Sequence, residues 1–471
     1  MSTTGDAPAA TAAPHSSSTN RKQPFPQGFL DTISTGWAAR ADATPARREQ
    51  APYAAARRAK LSALLPGKRL VIPAGTLKQR SNDTDYPFRA HAAFAHLTGW
   101  AADSEPGAVL VLEPTAHGHD ATLYFAERAD RTTAEFYGDA SIGEFWIGPR
   151  PALAAVGADL DLATAHIDEF AAGDDDLVLD ESAELTQAVS ELRLVKDEYE
   201  LAQLRLAVAV TAEGFDDIVR ELPAVIAHPR GERIVEGVFH RRARSDGNGE
   251  GYDTIAASGA HACYLHWTRN DGAVAPGDLI LIDAGVEVDS LYTADITRTI
   301  PVSGRFTDVQ RKVYETVREA ADAAFAVARP GITFRTVHET AMAVIARRTA
   351  EWGLLPVTAE EALDPATGGQ HRRYMVHGTS HHLGIDVHDC AQARREMYYD
   401  GILAPGMVFT IEPGLYFQID DLTVPAEYRG IGVRIEDDVL VTADGVQNLS
   451  AALPRTADEV EDWVTRLAPR A

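Results

Sequence analysis

Several short apolar runs in the C-terminal half of the chain end in an acidic residue. Asp283 follows the run LILI, Glu412 follows VFTI and Glu436 follows GVRI. Runs of this length that are rich in Val, Ile and Leu are typical of buried strands. A carboxylate at the end of a buried strand is costly unless it is paired. The fold of this chain must therefore bring these acids to partners.

Asp295 lies in YTADITRTI, twelve residues after Asp283, and a hairpin between the two segments would bring both carboxylates together. Carboxylates that close repel each other, and one is protonated unless a cation neutralises the pair. This repulsion is the reason to expect a metal. Taken singly, Asp283 is also compatible with a turn or cap residue, and Glu412 and Glu436 with ion-paired core glutamates.

The segment MVHGTSHHLGIDVHD contains four of the 16 histidines, namely His377, His381, His382 and His388. Neutral imidazole is a common metal ligand, and histidines near an activated water can also stabilise an oxyanion or move protons. A lone histidine would more often be structural, whereas four together favour function, with the weakest case for His382. An oxygen-rich set with one imidazole suits two hard divalent cations that share a water. Such a pair can make hydroxide at neutral pH and cut an amide bond.

The acidic balance of the chain limits its partners. Its 471 residues carry a formal net charge of -25, which argues against nucleic acid because phosphates would be repelled. No apolar run is long enough to cross a membrane, so no membrane association is expected. The two cysteines, Cys263 and Cys390, fit a reducing cytoplasm without disulfides, and we expect both to be small buried residues.

Composition and pattern divide the chain into three parts. Residues 1–27, rich in Ser, Thr, Ala and Pro, are predicted to be a disordered tail and lack the features of a secretory signal. Residues 28–190 alternate helical and strand-like patterns, which predicts an α/β domain. Within it, RPALAAVGADLDLATAHIDEFAAG is predicted to form a helix, a turn and a second helix. Residues 191–471 carry the acidic strand ends and are predicted to form an α+β domain.

Taken together, these motifs resemble the pita-bread metallopeptidases, the superfamily that includes methionine aminopeptidase, prolidase and aminopeptidase P. The chain looks most like aminopeptidase P (Xaa-Pro aminopeptidase), from about residue 30 to the C-terminus. SNDTDYPFR and FAHLTGW resemble the N-terminal domain of that family, RLVKDEYELAQLR its linker helix, and YLHWTRN, DAGVEV, DITRTIPVSGRFT, HGTSHHLGIDVHD, TIEPGLYF and GVRIEDD its catalytic domain. The first two aspartates are one residue further apart than is usual, which an extra hairpin residue, such as a bulge, would absorb.

The resemblance implies a pita-bread catalytic domain with two divalent metal ions, most often manganese, although cobalt, zinc or iron also suit the ligands. It implies that the metal ligands are Asp283, Asp295, His381, Glu412 and Glu436. Asp295 and Glu436 would bridge the ions. The implied catalytic residues are His266, His377, His388 and Glu412. The implied substrate and support residues are Tyr252, Tyr416, Arg434 and Arg150.

The activity implied by the resemblance is release of the first residue from peptides with proline in second position. A hydroxide bridging the two metals would attack the carbonyl of the first residue. Proline-containing peptides would be the substrates, and the chain would form a homo-oligomer, either a dimer or a tetramer. The alternatives are a prolidase, which cuts Xaa-Pro dipeptides only, and a non-catalytic pita-bread binding protein. The binding protein and a metal-free creatinase-like hydrolase are disfavoured because all five ligand types are present.

Overall fold

The computed structural model of the protein describes residues 25–40, 44–82 and 84–468. The tail predicted for residues 1–27 therefore lies outside the described residues as far as residue 24. The first helix of the described chain begins at Gln27. The ring of Phe25, which precedes this helix, stacks on the ring of Phe29, which lies within it. Among the residues described, no helix is both long and apolar enough to span a membrane.

The N-terminal part consists of short helices around one sheet. Its helices are α1 Gln27–Ile33, α2 Ala51–Leu64, α3 Ala92–Thr98, α4 Ala134–Gly138, α5 Glu144–Ile147, α6 Leu153–Leu160 and α7 Ala183–Leu192. Its strands are β1 Leu70–Pro73, β2 Gln79–Ser81, β3 Thr84–Asp85, β4 Val109–Thr115, β5 Gly118–Phe125, β6 Ala163–His166 and β7 Leu177–Val178. The alternation of helices and strands confirms the predicted α/β character of this region.

The main N-terminal sheet has the strand order β6-β5-β4-β1-β7. Strands β1, β4 and β5 pair antiparallel, and the outer strands β6 and β7 pair parallel to β5 and β1. The second helix predicted after α6 is wrong, because Ala163–His166 forms the edge strand β6. This segment pairs with β5 in the register Thr122↔Ala163 to Phe125↔His166. Pairing with an available sheet edge overrides the weak helical preference of this alanine-rich segment.

The C-terminal part is built from long helices around several small sheets. Its helices are α8 Glu198–Ala227, α9 Gly231–Asp246, α10 Asp308–Val327, α11 Arg335–Glu351, α12 Ala359–Leu363 and α13 Ala457–Leu467. Its strands are β8 Gly249–Glu250, β9 Ile255–Ser258, β10 Leu279–Ala284, β11 Val286–Glu287, β12 Ile296–Pro301, β13 Val408–Ile411, β14 Gly414–Tyr416, β15 Gly432–Arg434, β16 Asp437–Val441 and β17 Val446–Asn448. The α+β character predicted for this part is confirmed.

The strands that carry the acids lie in the buried centre of this part. Strand β10 lies between β12 and β9, and β16 lies between β13 and β17. The ladder of β10 with β12 runs without a bulge from Leu279↔Pro301 to Ala284↔Ile296. The additional residue between the two aspartates therefore falls in the connecting segment, which forms β11 and pairs with β8. One continuous hydrophobic cluster joins these strands to helices of both parts, so the strand ends are held in a packed scaffold.

A buried ion cluster ties the segment between the two parts to the histidine-rich segment. Arg193 Nε and Lys196 Nζ lie 3.0 Å and 3.2 Å from the two carboxylate oxygens of Asp389, and all three side chains are almost fully buried. Burial alone would raise the pKa of Asp389, but the charges of Arg193 and Lys196 lower it to about 2. The domain boundary predicted at residue 190 falls inside α7 and stays a prediction.

We expect Asp389→Asn to lower the free energy of unfolding by about 3–5 kcal/mol, because it leaves two buried cations without their counter-charge. The matched control is Glu191→Gln, which removes the carboxylate that pairs with the largely exposed Arg394. That change should cost less than about 1 kcal/mol. Urea unfolding followed by circular dichroism measures both. Equal losses for the two variants would contradict the structural role of the Asp389 cluster.

Candidate active site

A cavity of about 640 Å³ opens at the ends of the buried strands of the C-terminal part. Ten of the residues singled out from the sequence line it, namely Tyr252, His266, Asp283, Asp295, His377, His381, His388, Glu412, Arg434 and Glu436. Leu265, Val387 and Tyr398 add apolar surface to the same cavity. A concave site with a few convergent polar groups and apolar walls is the usual form of a substrate-binding site.

The strand pairing explains why acids far apart in the sequence converge here. Asp283 lies in β10 opposite Thr297 of β12, and Asp295 directly precedes β12. Glu412 directly follows β13, and Glu436 stands between β15 and β16. The Glu436 N–H donates to the carbonyl of Thr297 at 3.1 Å, which joins the Glu436 segment to the β10–β12 ladder, and β13, which precedes Glu412, pairs with β16. All four carboxylates are thus fixed to buried backbone rather than to mobile loops.

Three of the predicted metal ligands form a compact cluster. One carboxylate oxygen each of Asp295 and Glu436 and one ring nitrogen of His381 lie within 4.8 Å of one another. His381 Nε2 also lies 3.2 Å from Asp295 Oδ2 and 3.4 Å from Glu412 Oε1. Asp295 therefore occupies the centre of the acidic group.

Polar side chains connect Asp283 to the same centre. The Tyr252 hydroxyl lies 2.7 Å from Asp283 Oδ1 and 2.5 Å from Asp295 Oδ1, and its single proton can be donated to only one of them at a time. The Arg434 guanidinium donates to the other oxygen of Asp283. It also donates to the Tyr416 hydroxyl at 3.2 Å. The structure thus places Tyr252, Tyr416 and Arg434 beside the acidic group, and their supporting role stays a prediction.

Two threonines, which the sequence did not single out, orient the glutamates. Thr297 Oγ1 donates to Glu436 Oε2 at 2.6 Å and accepts from Arg434 Nε at 3.1 Å. Thr410 Oγ1 donates to Glu412 Oε1 at 3.2 Å. Both threonines are fully buried in strands that carry or face the acids. A threonine in a strand is so common that its pattern alone gives no functional signal.

Burial and mutual repulsion make the acidic cluster hard to ionise completely. Burial raises the pKa of Glu412 to about 7, with a further contribution from Asp295, although His381 opposes the shift. The pKa of Glu436 lies well above its usual range because of burial and the charges of Asp295, Glu412 and Asp283. Burial also raises the pKa of Asp283, although Arg434 opposes the change. A bound cation is the means by which such a cluster becomes fully ionised.

Three of the four histidines that line the cavity, namely His377, His381 and His388, have shifted pKa values. Burial would lower the pKa of His381, but its contacts with Asp295 and Glu412 raise it to about 9. Burial and the nearby Arg434 lower the pKa of His377 to about 3. Burial and the charge of His381 lower the pKa of His388. At neutral pH, His377 and His388 are therefore neutral donors and acceptors of hydrogen bonds.

Two family profiles match the chain. Metallopeptidase family M24 matches residues 202–443, and the aminopeptidase P N-terminal domain matches residues 54–177. The chain belongs to metallopeptidase family M24. Its two matched regions correspond to the two parts of the fold described above.

Similar proteins bear the names Xaa-Pro aminopeptidase and aminopeptidase P. Xaa-Pro aminopeptidase 2 of Streptomyces coelicolor is 51% identical over 460 residues, which cover 93% of this chain and 96% of that protein. Xaa-Pro aminopeptidase 1 of the same organism is 50% identical over 440 residues, covering 89% and 88% respectively. Zinc-substituted Escherichia coli aminopeptidase P in complex with product superimposes with a TM-score of 0.76 and 30% identity, covering 89% of this chain and 99% of that one. The two-domain pita-bread architecture predicted from the sequence is thereby confirmed.

The donor set of this family M24 chain fits divalent metal ions. Four carboxylates and one imidazole face a common space, and oxygen donors with imidazole suit hard or borderline divalent ions. The three ligand atoms within 4.8 Å of one another lie at a spacing that one ion can close by coordination. Asp437 and Asp438 follow Glu436 but have other partners, since Asp437 pairs with Arg298 and Asp438 accepts from the Asp295 N–H.

Arg150 is the one predicted site residue that the structure does not bring to the cavity or its immediate support. Its buried guanidinium lies in the N-terminal part, where it pairs with Glu105 at 3.0 Å and Glu135 at 3.5 Å. It also donates to the carbonyl of Ala126 at 2.6 Å. These contacts hold the segment after α5 against the N-terminal sheet, and within one chain Arg150 acts there as a structural residue.

A buried glutamate that the sequence did not single out shapes the cavity wall. Glu232 accepts from the His261 ring at 2.7 Å, from the Trp267 indole at 3.0 Å and from the Gly272 N–H at 2.6 Å. These contacts hold the segment that places His266 on the wall. Glu232 lies in α9, whereas its partners lie about 30 to 40 residues later in the sequence. No local sequence pattern therefore indicates its role.

We expect metal binding to release protons at neutral pH. In the metal-free protein His381 holds a proton up to a pKa of about 9 and Glu412 up to about 7, and both must lose it to coordinate a cation. Metal affinity should therefore fall as the pH is lowered, because protons compete for the same atoms. Calorimetric titration of manganese chloride in two buffers of different ionisation enthalpy measures the release.

His381→Ala is the comparison variant for this titration, because His381 has the higher pKa of the two groups, His381 and Glu412. It should release fewer protons for each ion bound. Heats that do not depend on the buffer for the unaltered protein would contradict the protonated state of the cluster.

Proposed function

We propose that this chain is a metal-dependent Xaa-Pro aminopeptidase, which releases the first residue of peptides whose second residue is proline. The observation that carries the proposal is the convergence of Asp283, Asp295, His381, Glu412 and Glu436 in one cavity. The aminopeptidase P N-terminal domain favours this activity over that of a prolidase. The names of the relatives support the same substrate class.

In this proposal Asp283, Asp295, His381, Glu412 and Glu436 would hold two divalent ions, with Asp295 and Glu436 contributing to the binding of both. The central position of Asp295, in contact with Tyr252 on one side and His381 on the other, supports that assignment. Bound divalent ions would supply Lewis acidity and activate a water for attack on the carbonyl carbon of the first residue. The acidic groups would also attract the free amino group of the peptide.

Glu412 is the proposed proton carrier. A carboxylate has two oxygens, so Glu412 can serve as a ligand and also accept and return a proton. It takes a proton from the attacking water and gives one to the proline nitrogen as the C–N bond breaks. The products are a free amino acid and a peptide that begins with proline.

His388 is the better placed of the two neutral histidines for stabilising the oxyanion. Both ring nitrogens of His377 are engaged, with Nδ1 lying 2.6 Å from the Gly378 carbonyl and Nε2 2.8 Å from the Tyr416 hydroxyl. Among the described residues, neither ring nitrogen of His388 has a hydrogen-bond partner. The neutral His388 ring packs edge-on against His381 at 4.4 Å between centroids, which places it beside the metal ligands.

Selection for proline follows from the walls of the cavity. His266 and Leu265 lie on one segment of the wall, and His388 and Val387 lie on another. Proline has no N–H in a peptide, so a pocket that fits its ring and does not require an N–H donor can select it by shape. We assign proline recognition to these four residues.

The finer features of the proposal are the metal, the cellular location and the assembly. We propose manganese as the metal, on the preference of oxygen-rich sites for such ions. We also propose a cytoplasmic location, consistent with two free cysteines that are both buried. A homodimer or homotetramer, and a domain boundary near residue 190, complete the proposal.

The experiment that tests the function compares Ala-Pro with Ala-Pro-Ala as substrates of the manganese-loaded protein, with a chelated sample as control. We expect release of alanine from the tripeptide, little action on the dipeptide, and no activity after chelation. Preferential cleavage of the dipeptide would make the protein a prolidase. If neither substrate is cleaved, the result would favour a non-catalytic binding protein.

Glu436→Gln should lose bound metal and reduce kcat/KM for Ala-Pro-Ala by at least about a thousandfold, because it removes the charge of one proposed metal ligand. The matched control is Asp253→Asn, which changes an exposed acid on the same cavity wall but outside the cluster. It should keep its full metal content. Metal analysis and alanine release measure both variants, and a metal-loaded, active Glu436→Gln protein would rule out the assigned role.

A further inference from the structure

A second, smaller hollow adjoins the active-site cavity. It has a volume of about 220 Å³ and is lined by residues from the start of α11, from the segment before His377 and from Tyr399. At about 30 Å³ for each water, it has room for about seven water molecules, which is the size of one peptide residue or end group. His377, Gly378 and Ser380 line both spaces and form the wall between them.

The two spaces have opposite charge. The active-site cavity is lined by five carboxylates, namely Asp253, Asp283, Asp295, Glu412 and Glu436. The hollow is lined by Arg335, Arg372 and two histidines, and none of its lining residues among the described chain is acidic. In a chain with a net charge of -25, a carboxylate-free cationic hollow beside the active site is a distinct local feature.

Arg372 is the principal free cation of the hollow. Its Nη2 donates to the Val376 carbonyl at 3.0 Å, and no carboxylate of the described residues forms an ion pair with it. Four further N–H donors of the guanidinium are left for a ligand. Arg335 is neutralised by two carboxylates, since its Nη1 lies 3.3 Å from Asp400 Oδ1 and its Nε lies 3.8 Å from Glu339 Oε1.

His338 adds a directed donor to the hollow. Its Nδ1 accepts from the Thr379 N–H at 3.2 Å, so in the neutral ring the proton is on Nε2. Nε2 has no hydrogen-bond partner among the residues that the structure describes. The hollow therefore presents an arginine fork and an imidazole N–H to whatever enters it.

The residue at position 378, in the wall between the two spaces, is a glycine and places no side chain there. A side chain at this position would meet only one atom within 4.0 Å, the carbonyl oxygen of Ser380, so the space beside its backbone is open. No side chain at position 378 therefore separates the two spaces. His377, on the same wall, lies with Nδ1 3.5 Å from Glu412 Oε2, which places the wall directly beside the proposed proton carrier.

We propose that the hollow of Arg335, His338 and Arg372 binds the C-terminal carboxylate of short peptide substrates. Arginine binds carboxylates through parallel N–H donors, and such charge-assisted bonds are stronger than neutral ones. The acidic cavity holds the amino end of the peptide and the basic hollow holds its carboxyl end. The enzyme thereby favours tripeptides and slightly longer substrates over long chains. This inference rests on the proposed aminopeptidase activity.

The test compares Ala-Pro-Ala with its C-terminal amide, using manganese-loaded protein and alanine release. For the unaltered protein we expect amidation to lower kcat/KM about tenfold, chiefly through KM, because one charge-assisted interaction is lost. Arg372→Gln should lower kcat/KM for the free acid to the level of the amide and leave the amide unchanged. Arg372→Lys should restore part of the difference.

The matched control is Arg329→Gln, which removes an exposed arginine outside the hollow and should leave the ratio of acid to amide unchanged. A second arm compares the amides of Ala-Pro-Asp and Ala-Pro-Asn. If Arg372 favours the aspartate peptide as strongly as the free acid, the assignment to the chain terminus is overturned in favour of an acidic side chain.

The outcomes separate this inference from the proposed function. Equal cleavage of acid and amide by the unaltered protein would overturn the carboxylate subsite and leave the aminopeptidase intact. An equal loss on both substrates in Arg372→Gln would show a structural role and would also overturn the subsite. Failure of the unaltered protein to cleave either peptide would refute the aminopeptidase and the subsite together.

Discussion

The mutual repulsion of four buried carboxylates is the constraint on which the rest of the site depends. Asp283, Asp295, Glu412 and Glu436 converge where several strands end, and burial removes the water that would otherwise screen them. Arg434 offsets part of this charge, but it reaches only Asp283 directly. Metal ions would neutralise the remaining negative charge. The repulsion between the carboxylates therefore destabilises the fold without metal and also creates its affinity for cations.

The scaffold keeps these groups close because each is attached to backbone that cannot move independently. The β10–β12 ladder is uninterrupted, and Glu436 is joined to it through the carbonyl and the hydroxyl of Thr297. Thr410 holds both Glu412 and the backbone N–H of His381. Glu232 accepts hydrogen bonds from Trp267 and Gly272 and so holds the wall segment that bears His266. Such outer contacts fix ligand orientation before any ion or substrate arrives.

Sequence reasoning succeeded where a local pattern carried the information. An apolar run ending in Asp or Glu predicts a buried strand end, and three histidines of the histidine-rich segment line the cavity. It failed where tertiary contacts decide, as for β6, whose helical pattern is overridden by pairing with β5. Arg150 pairs with Glu105 and Glu135 in the N-terminal part and is not among the residues that line the cavity, so its role at the site stays a prediction. Glu232 lacked any local signal, since its partners lie on another segment.

The basic hollow shows a further limit of sequence reasoning, because its cations come from separate segments of an acidic chain. Arg335 begins α11 and Arg372 precedes the histidine-rich segment, and only the fold brings both beside Gly378. A peptide has a positive amino end and a negative carboxyl end, so an acidic cavity next to a basic hollow fixes its direction as well as its position. Direction matters for an exopeptidase, since only the first peptide bond must reach the activated water. The arrangement of charge therefore supplies orientation that the metal ligands alone cannot provide.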